Sequence, residues 1–321
     1  MIARRGLLAL PALLAAAAAG AQPWAPSRPI RFVLPLAAGG SLDALARLIA
    51  AHLTPVLRQP VVVEPRPGAG GNLAFEYVAR AAADGHTILV GWDSLVINPP
   101  LYRRVNYDPV TDFNPIIQTV AAPQVLVVRA DGAGDLSSLI AAAKAARPAL
   151  SWASPGNGSI GHMTGELFRR DAELPDFEHV PYRGAAPAAT DLLAGVVSAL
   201  WVSLPAVTEH VREGRFRALV VTGARRSAVL PSVPTAIEVG QTALEIVSWQ
   251  GLLAPAGTPA AAVETLNSEV NKALNSDNIS RWIAAQGSER IGGDPGVLAA
   301  QIRADVRRWA EVVHRTGARP D

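Results

Sequence analysis

The residues in this sequence best placed to do chemistry are glycines set between strand-like and helix-like segments. Residues 35–41 read Pro-Leu-Ala-Ala-Gly-Gly-Ser, residues 154–159 Ser-Pro-Gly-Asn-Gly-Ser, and residues 182–187 Tyr-Arg-Gly-Ala-Ala-Pro, with a further glycine loop at 65–71. The first turn of a helix offers N–H groups that have no intrahelical acceptor, together with the positive end of the helix dipole. A glycine loop leading into such a turn lets a carboxylate or phosphate come close to the backbone. A single loop of this kind also serves ordinary turn geometry. Three together at the carboxyl ends of strands point to an anion-binding crevice, because open α/β sheets bind ligands there.

Other chemistries find less support. Gly156, Gly158 and Gly161 spell G-x-G-x-x-G, with Asp176 and Glu178 at about the distance of a ribose contact. The motif sits mid-chain behind Pro155, and Asp176 falls in a loop, so a dinucleotide site is not expected. No serine has the G-x-S-x-G frame of a nucleophile elbow. The six histidines show no H-x-x-x-H or H-E-x-x-H spacing and there is no cysteine, so neither a zinc site nor a thiolate nucleophile is expected, and no cofactor is implied. Two residues carry two readings each. Asp43, three residues after Gly40, either caps free N–H groups at the helix start or touches ligand. His162, in the first turn after the 154–159 loop, either faces ligand or packs against a neighbouring loop.

The elements that must position these loops follow from hydropathy. Short apolar or β-branched runs at 30–34, 61–64, 87–91, 124–128, 150–153, 178–181, 199–203, 218–222 and 248–254 read as strands. Helical periodicity covers 42–57, 72–83, 136–147, 160–170, 188–194, 260–274, 278–285 and 295–316. The stretch through Asn98-Pro99-Pro100 reads as irregular. Alternating elements of this kind predict an α/β fold around mostly parallel sheets. The 321 residues suffice for two domains. Half the residues are hydrophobic, and 29 basic residues face 27 acidic ones, which excludes a disordered chain and gives no basis for nucleic-acid binding.

Arg4 and Arg5, an apolar run over 6–19, and the small residues Ala19, Gly20 and Ala21 have the layout of a secretory signal peptide over residues 1–21. The general and twin-arginine export routes both fit. No later apolar run reaches membrane-spanning length. Without Arg4 and Arg5 the basic and acidic counts are equal, so attraction of an anion must be local to the loops.

Several stretches carry a resemblance to a known family. These are Arg28-Pro29-Ile30-Arg31, residues 35–43 as P-L-A-A-G-G-S-L-D, 61–71 as V-V-V-E-P-R-P-G-A-G-G, 83–87 as A-D-G-H-T, 180–184 as V-P-Y-R-G, 217–222 as R-A-L-V-V-T, 230–235 as L-P-S-V-P-T, and 249–259. In this order they resemble the substrate-binding proteins of tripartite tricarboxylate transporters, the Bug family. The resemblance implies a type II, Venus-flytrap binding protein of two lobes, 24–122 with 228–321 and 123–227. Hinges are expected near 122–125 and 222–225. It further implies a periplasmic monomer, not lipid-anchored, that captures a small carboxylate and delivers it to a membrane permease.

Carried onto this sequence, the resemblance implies ligand contacts at Leu36, Ala37, Ala38, Gly39 and Gly40, at Ser154, Gly156, Asn157, Gly158 and His162, and at Gly184 and Ala185. Asp43, Ser94 and Ser203 complete the candidate set. Leu36, Pro65 and Trp201 depart from the family's usual Phe, Asn and Phe. Leu36 leaves more room beside a carboxylate, whereas Trp201 either offers a stacking face or fills the core. A sensor feeding a signalling partner, and an enzyme acting on a carboxylate, are the alternatives.

Overall fold

The computed structural model describes residues 24–320, so the segment 1–21, expected to be a signal peptide, lies outside the described residues. β1 (Ile30–Leu34) leads through α1 (Ser41–Leu57) to β2 (Val61–Pro65), which pairs with it in parallel, Ile30 opposite Val61. Leu42, Leu45, Ala46, Ile49 and Leu53 bury one face of α1, the 3–4 spacing of an amphipathic helix. α2 (Asn72–Ala79) then crosses to β3 (Thr87–Trp92), parallel to β1 on its other side.

α3 (Ser94–Leu101) occupies the stretch read as irregular. Pro99 and Pro100 suppress the helical signal in sequence. Complete burial of Leu95, Val96, Ile97 and Asn98 outweighs that local penalty. β4 (Phe113–Arg129) is much longer than the strand expected at 124–128, because Pro115 and Pro123 lie inside it and proline reads as a strand breaker. The ladder bulges between Pro115 and Ile117 rather than ending.

The chain continues through α4 (Leu136–Ala145), β5 (Ser151–Ser154), α5 (Ile160–Asp171), β6 (Glu178–Pro181), α6 (Ala185–Ala194), β7 (Ala199–Ser203), α7 (Thr208–Arg212) and β8 (Phe216–Val221). β9 (Val247–Pro255), α8 (Ala260–Asn275), α9 (Asp277–Ala285), β10 (Glu289–Arg290) and α10 (Pro295–Thr316) complete it.

The strand order is β2-β1-β3-β9-β4-β7-β5-β6, with β8 and β10 also bonded to β4. β4 joins the two halves of this array. Its residues 113–123 pair with β9, and its residues 124–129 pair with β7 and β8. The β1–β2, β1–β3, β5–β6 and β5–β7 pairs are parallel, but every pair made by β4 or β9 is antiparallel. The expectation of mostly parallel sheets is therefore corrected to mixed ones within the α/β fold. The returning strands β9 and β4 run against the βαβ units, which local sequence patterns do not reveal. Trp201 belongs to the core: it is fully buried and meets Phe168 edge-on, with ring centroids 5.7 Å apart. No helix among the described residues is long and apolar enough to cross a membrane.

Candidate ligand-binding site

A cavity of about 190 Å³ lies where three helix starts meet the strands on both sides of the β4 partner change. Leu36, Ala37, Ala38, Gly39 and Gly40 line it ahead of α1, Ser159, Ile160 and Gly161 at the start of α5, and Arg183, Gly184, Ala185 and Ala186 at the start of α6. Trp92, Gln124, Ser203, Ser248 and Gln250 form the strand side. Three first turns thus direct N–H groups and positive dipole ends toward one volume, the arrangement that stabilises an anion.

Local contacts fix each helix start. Gly39 donates its N–H to Asp43 Oδ2 at 2.9 Å, and Asp43 Oδ1 pairs with Arg47 Nε at 2.9 Å. Asp43 therefore lines the cavity with its charge already engaged, which is the capping reading. Ser159 caps α5 by accepting the His162 N–H at 3.1 Å. Gly161 lets α5 approach β7: a Cβ there would lie 2.5 Å from the Trp201 carbonyl oxygen. Gly184, at φ +128°, donates its N–H to the Pro155 carbonyl at 2.8 Å and so couples the α5 and α6 loops.

Nine of the expected residues line the cavity: Leu36, Ala37, Ala38, Gly39, Gly40, Asp43, Gly184, Ala185 and Ser203. Ser94, Ser154, Gly156, Asn157, Gly158 and His162 do not line it; they form a supporting cluster. Ser94 donates its hydroxyl to the Gly158 carbonyl oxygen, and Gly158 donates its N–H to His162 Nδ1 at 3.3 Å. Ser154 Oγ lies 2.8 Å from His179 Nε2 and accepts the Gly156 N–H at 3.2 Å. The His162 ring stacks on that of His179 with centroids 4.3 Å apart. Burial, reinforced by the neighbouring His179, lowers the His162 pKa to about 3, so the ring is neutral and packs rather than meeting an anion.

Sequence reasoning missed Trp92, Gln124, Ser159, Ile160, Gly161, Arg183, Ser248 and Gln250. A signal existed for some of them. Gln124, Ser248 and Gln250 are polar residues in otherwise apolar strands, and Arg183 directly precedes Gly184. Arg183 is the one cationic side chain of the lining, and it is exposed.

Behind Ser248 lies Asp93, fully buried, which accepts the Ser248 hydroxyl and, through Oδ1, the Trp249 N–H at 3.1 Å. Burial raises its pKa to about 8 against those two hydrogen bonds, and the nearby Asp305 raises it further, so Asp93 is protonated at neutral pH. Among the described residues no group of three or more His, Cys, Asp or Glu could hold a metal ion.

The comparisons agree with this geometry. The model of the tripartite tricarboxylate transporter family receptor matches residues 45–318. The protein BugT of Bordetella pertussis is 38% identical over 92% of this chain and 91% of its own. A Rhodopseudomonas palustris protein solved with adipate is 36% identical, with a TM-score of 0.87 over 92% of this chain and 99% of that one. MatC from the same organism, solved with bound malate, is 33% identical, with a TM-score of 0.84 over 90% and 99%. Matched over most of its length in sequence and in fold, the chain belongs to the tripartite tricarboxylate transporter family of receptors.

Proposed function

We propose that this protein is a periplasmic receptor that closes two lobes on a small carboxylate and delivers it to a membrane permease, without transforming it. The observation that carries the reading is the convergence of the α1, α5 and α6 starts on one cavity. The ligand carboxylate is held by backbone N–H groups at the starts of α1, α5 and α6 other than those of Gly39, Ser159 and Gly184, which are donated to Asp43, Gly156 and Pro155. Two relatives solved with malate and adipate support a carboxylate as the ligand class.

The lobes comprise residues 24–122 with 228–321, and 123–227. The partner change in β4 supports this division. So does the link between its two crossings, where Gln124 donates its N–H to Thr222 Oγ1 at 2.9 Å and accepts the Thr222 N–H at 3.0 Å. Closure excludes water and strengthens each hydrogen bond to the anion. Export through residues 1–21 brings the chain to the compartment where such a receptor works.

The test is a thermal-shift screen of mono-, di- and tricarboxylates on the purified chain lacking residues 1–21. A bound acid at 100 times its dissociation constant stabilises by ~2.7 kcal/mol and is recovered chemically unchanged. No response to any acid overturns the receptor reading, and turnover of the acid replaces it with an enzyme.

A further inference from the structure

The strand side of the cavity carries polar atoms that the protein itself does not satisfy. Gln124 is fully buried, and neither its Oε1 nor its Nε2 has a hydrogen-bond partner. Gln250 Oε1 and Trp92 Nε1 are buried and equally unpartnered. Sheet register gathers these groups. Trp92 stands opposite Gln250 across β3 and β9, Gln124 stands opposite Ser203 across β4 and β7, and all four line the cavity. Buried amides are normally paired, and a pair of amides left open on a binding cavity indicates what the ligand must bring.

A carboxylate alone does not complete this wall. Ionised, it only accepts hydrogen bonds, so it can use the helix N–H groups, the Gln124 Nε2 and the Trp92 Nε1 but cannot satisfy an amide oxygen. Turning either amide over exchanges its two atoms and still leaves Gln124 with one acceptor and one donor. The ligand therefore needs a hydrogen-bond donor beside its carboxylate. An ammonium fits poorly. Asp43 is the only carboxylate in the lining, and it is already engaged by Arg47 and the Gly39 N–H, while three positive helix ends and Arg183 face the same volume. A neutral hydroxyl meets both demands.

Resting on the receptor reading above, we infer that the ligand is a small hydroxycarboxylate, its carboxylate at the helix starts and its hydroxyl on the Gln124 and Gln250 amides. Its hydroxyl donates to one amide oxygen and accepts from the Gln124 Nε2 or the Trp92 Nε1.

Titration calorimetry on three matched sets tests this: succinate, malate and aspartate; glutarate, 2-hydroxyglutarate and glutamate; propionate, lactate and alanine. In any set that binds, the hydroxy acid binds at least about tenfold more tightly than its deoxy and amino counterparts, since a site built to pair a hydroxyl rejects the analogue lacking it. Gln124→Met reduces that preference to about threefold or less, read as the ratio of affinities within each set so that any loss common to the deoxy and hydroxy acids cancels. Gln250→Met, whose side chain is less deeply buried, is the second variant if Gln124→Met melts below the working temperature. Equal affinity within a set means that ordered water satisfies the amides and overturns the inference, as does tighter binding of the amino acid or a preference that survives both substitutions. In those cases the receptor reading stands, because an acid has bound. If no acid in these sets or in the wider screen binds, the receptor reading itself fails and this inference with it.

Discussion

The Ser94 hydroxyl donates to the Gly158 carbonyl oxygen at 2.7 Å, tying the start of α3 to the loop ahead of α5. Asn98, one turn further along α3, donates to the Gly70 carbonyl at 3.0 Å and to Asn72 Oδ1 at 2.7 Å, and its Oδ1 lies where a Gly158 Cβ would fall. In the two-lobe reading, Ser94 and Gly158 stand on opposite lobes, and their bond belongs to the closed state. Ser94→Ala leaves a buried carbonyl unpaired at a cost of ~1–3 kcal/mol and removes no cavity-lining atom. Carboxylate affinity then falls about tenfold while the ligand-free chain scatters as a more open particle. Unchanged affinity together with unchanged scattering removes the bond from the closure equilibrium.

Gly39 and Gly158 respond differently to added bulk. A Cβ on Gly39 meets nothing within 4 Å, so an indole there projects from the cavity lining, at the cost of the strained φ of +100°. Gly39→Trp weakens carboxylate binding by about 100-fold or more, and the melting temperature falls only by what the strained φ costs, ~1–3 kcal/mol, because no core contact is lost. A Cβ on Gly158 lies 2.3 Å from Asn98 Oδ1. Gly158→Ala therefore lowers the melting temperature first, and any loss of affinity follows from the displaced loop. Melting curves and calorimetry on the two variants separate these effects, and a stable Gly158→Ala chain with normal affinity contradicts the contact.

Asp93 makes stability fall with rising pH. Its folded pKa is about 8 against 3.8 for the free group, so between roughly pH 4 and 8 the folded chain holds a proton that the unfolded chain releases. The stability it contributes is complete below about pH 4, declines by up to ~1.4 kcal/mol per pH unit, and levels off above about pH 8. Asp93→Asn keeps an acceptor for the Trp249 N–H and cannot ionise. Differential calorimetry from pH 5 to 8 therefore finds the parent chain losing stability relative to the variant. Parallel curves overturn the assignment.

His162 acts in the opposite sense. Its folded pKa lies near 3 against 6.5, so between these values the unfolded chain takes up a proton that the folded chain refuses. Stability from this group is present above pH 6.5 and is lost as the pH falls toward 3. Because Nδ1 accepts the Gly158 N–H, the proton sits on Nε2. Nitrogen NMR of labelled protein shows this one ring without titration above pH 5 and with the Nε2–H tautomer. A midpoint near 6.5 contradicts the buried stack.

The sequence by itself determined the α/β class, most strand and helix positions and the glycine loops, because hydropathy period, glycine and proline act over a few residues. It also pointed to the residues ahead of α1 and α6 that line the cavity, since a strand-to-helix loop places backbone N–H groups wherever it occurs. Tertiary structure decided the rest. The long β4 was hidden by Pro115 and Pro123, and α3 by Pro99 and Pro100, because burial and pairing with distant segments outweigh local propensity. Ser154, Gly158 and His162 sit in the right loop yet support the wall rather than line it, a distinction set by which side of the loop meets Ser94 and His179. Gln124, Ser248 and Gln250 share one cavity with Trp92 only because β3, β9, β4 and β7 are neighbours in the sheet. Residues some 150 positions apart become one recognition surface through strand register, and register is a long-range property that no local pattern encodes.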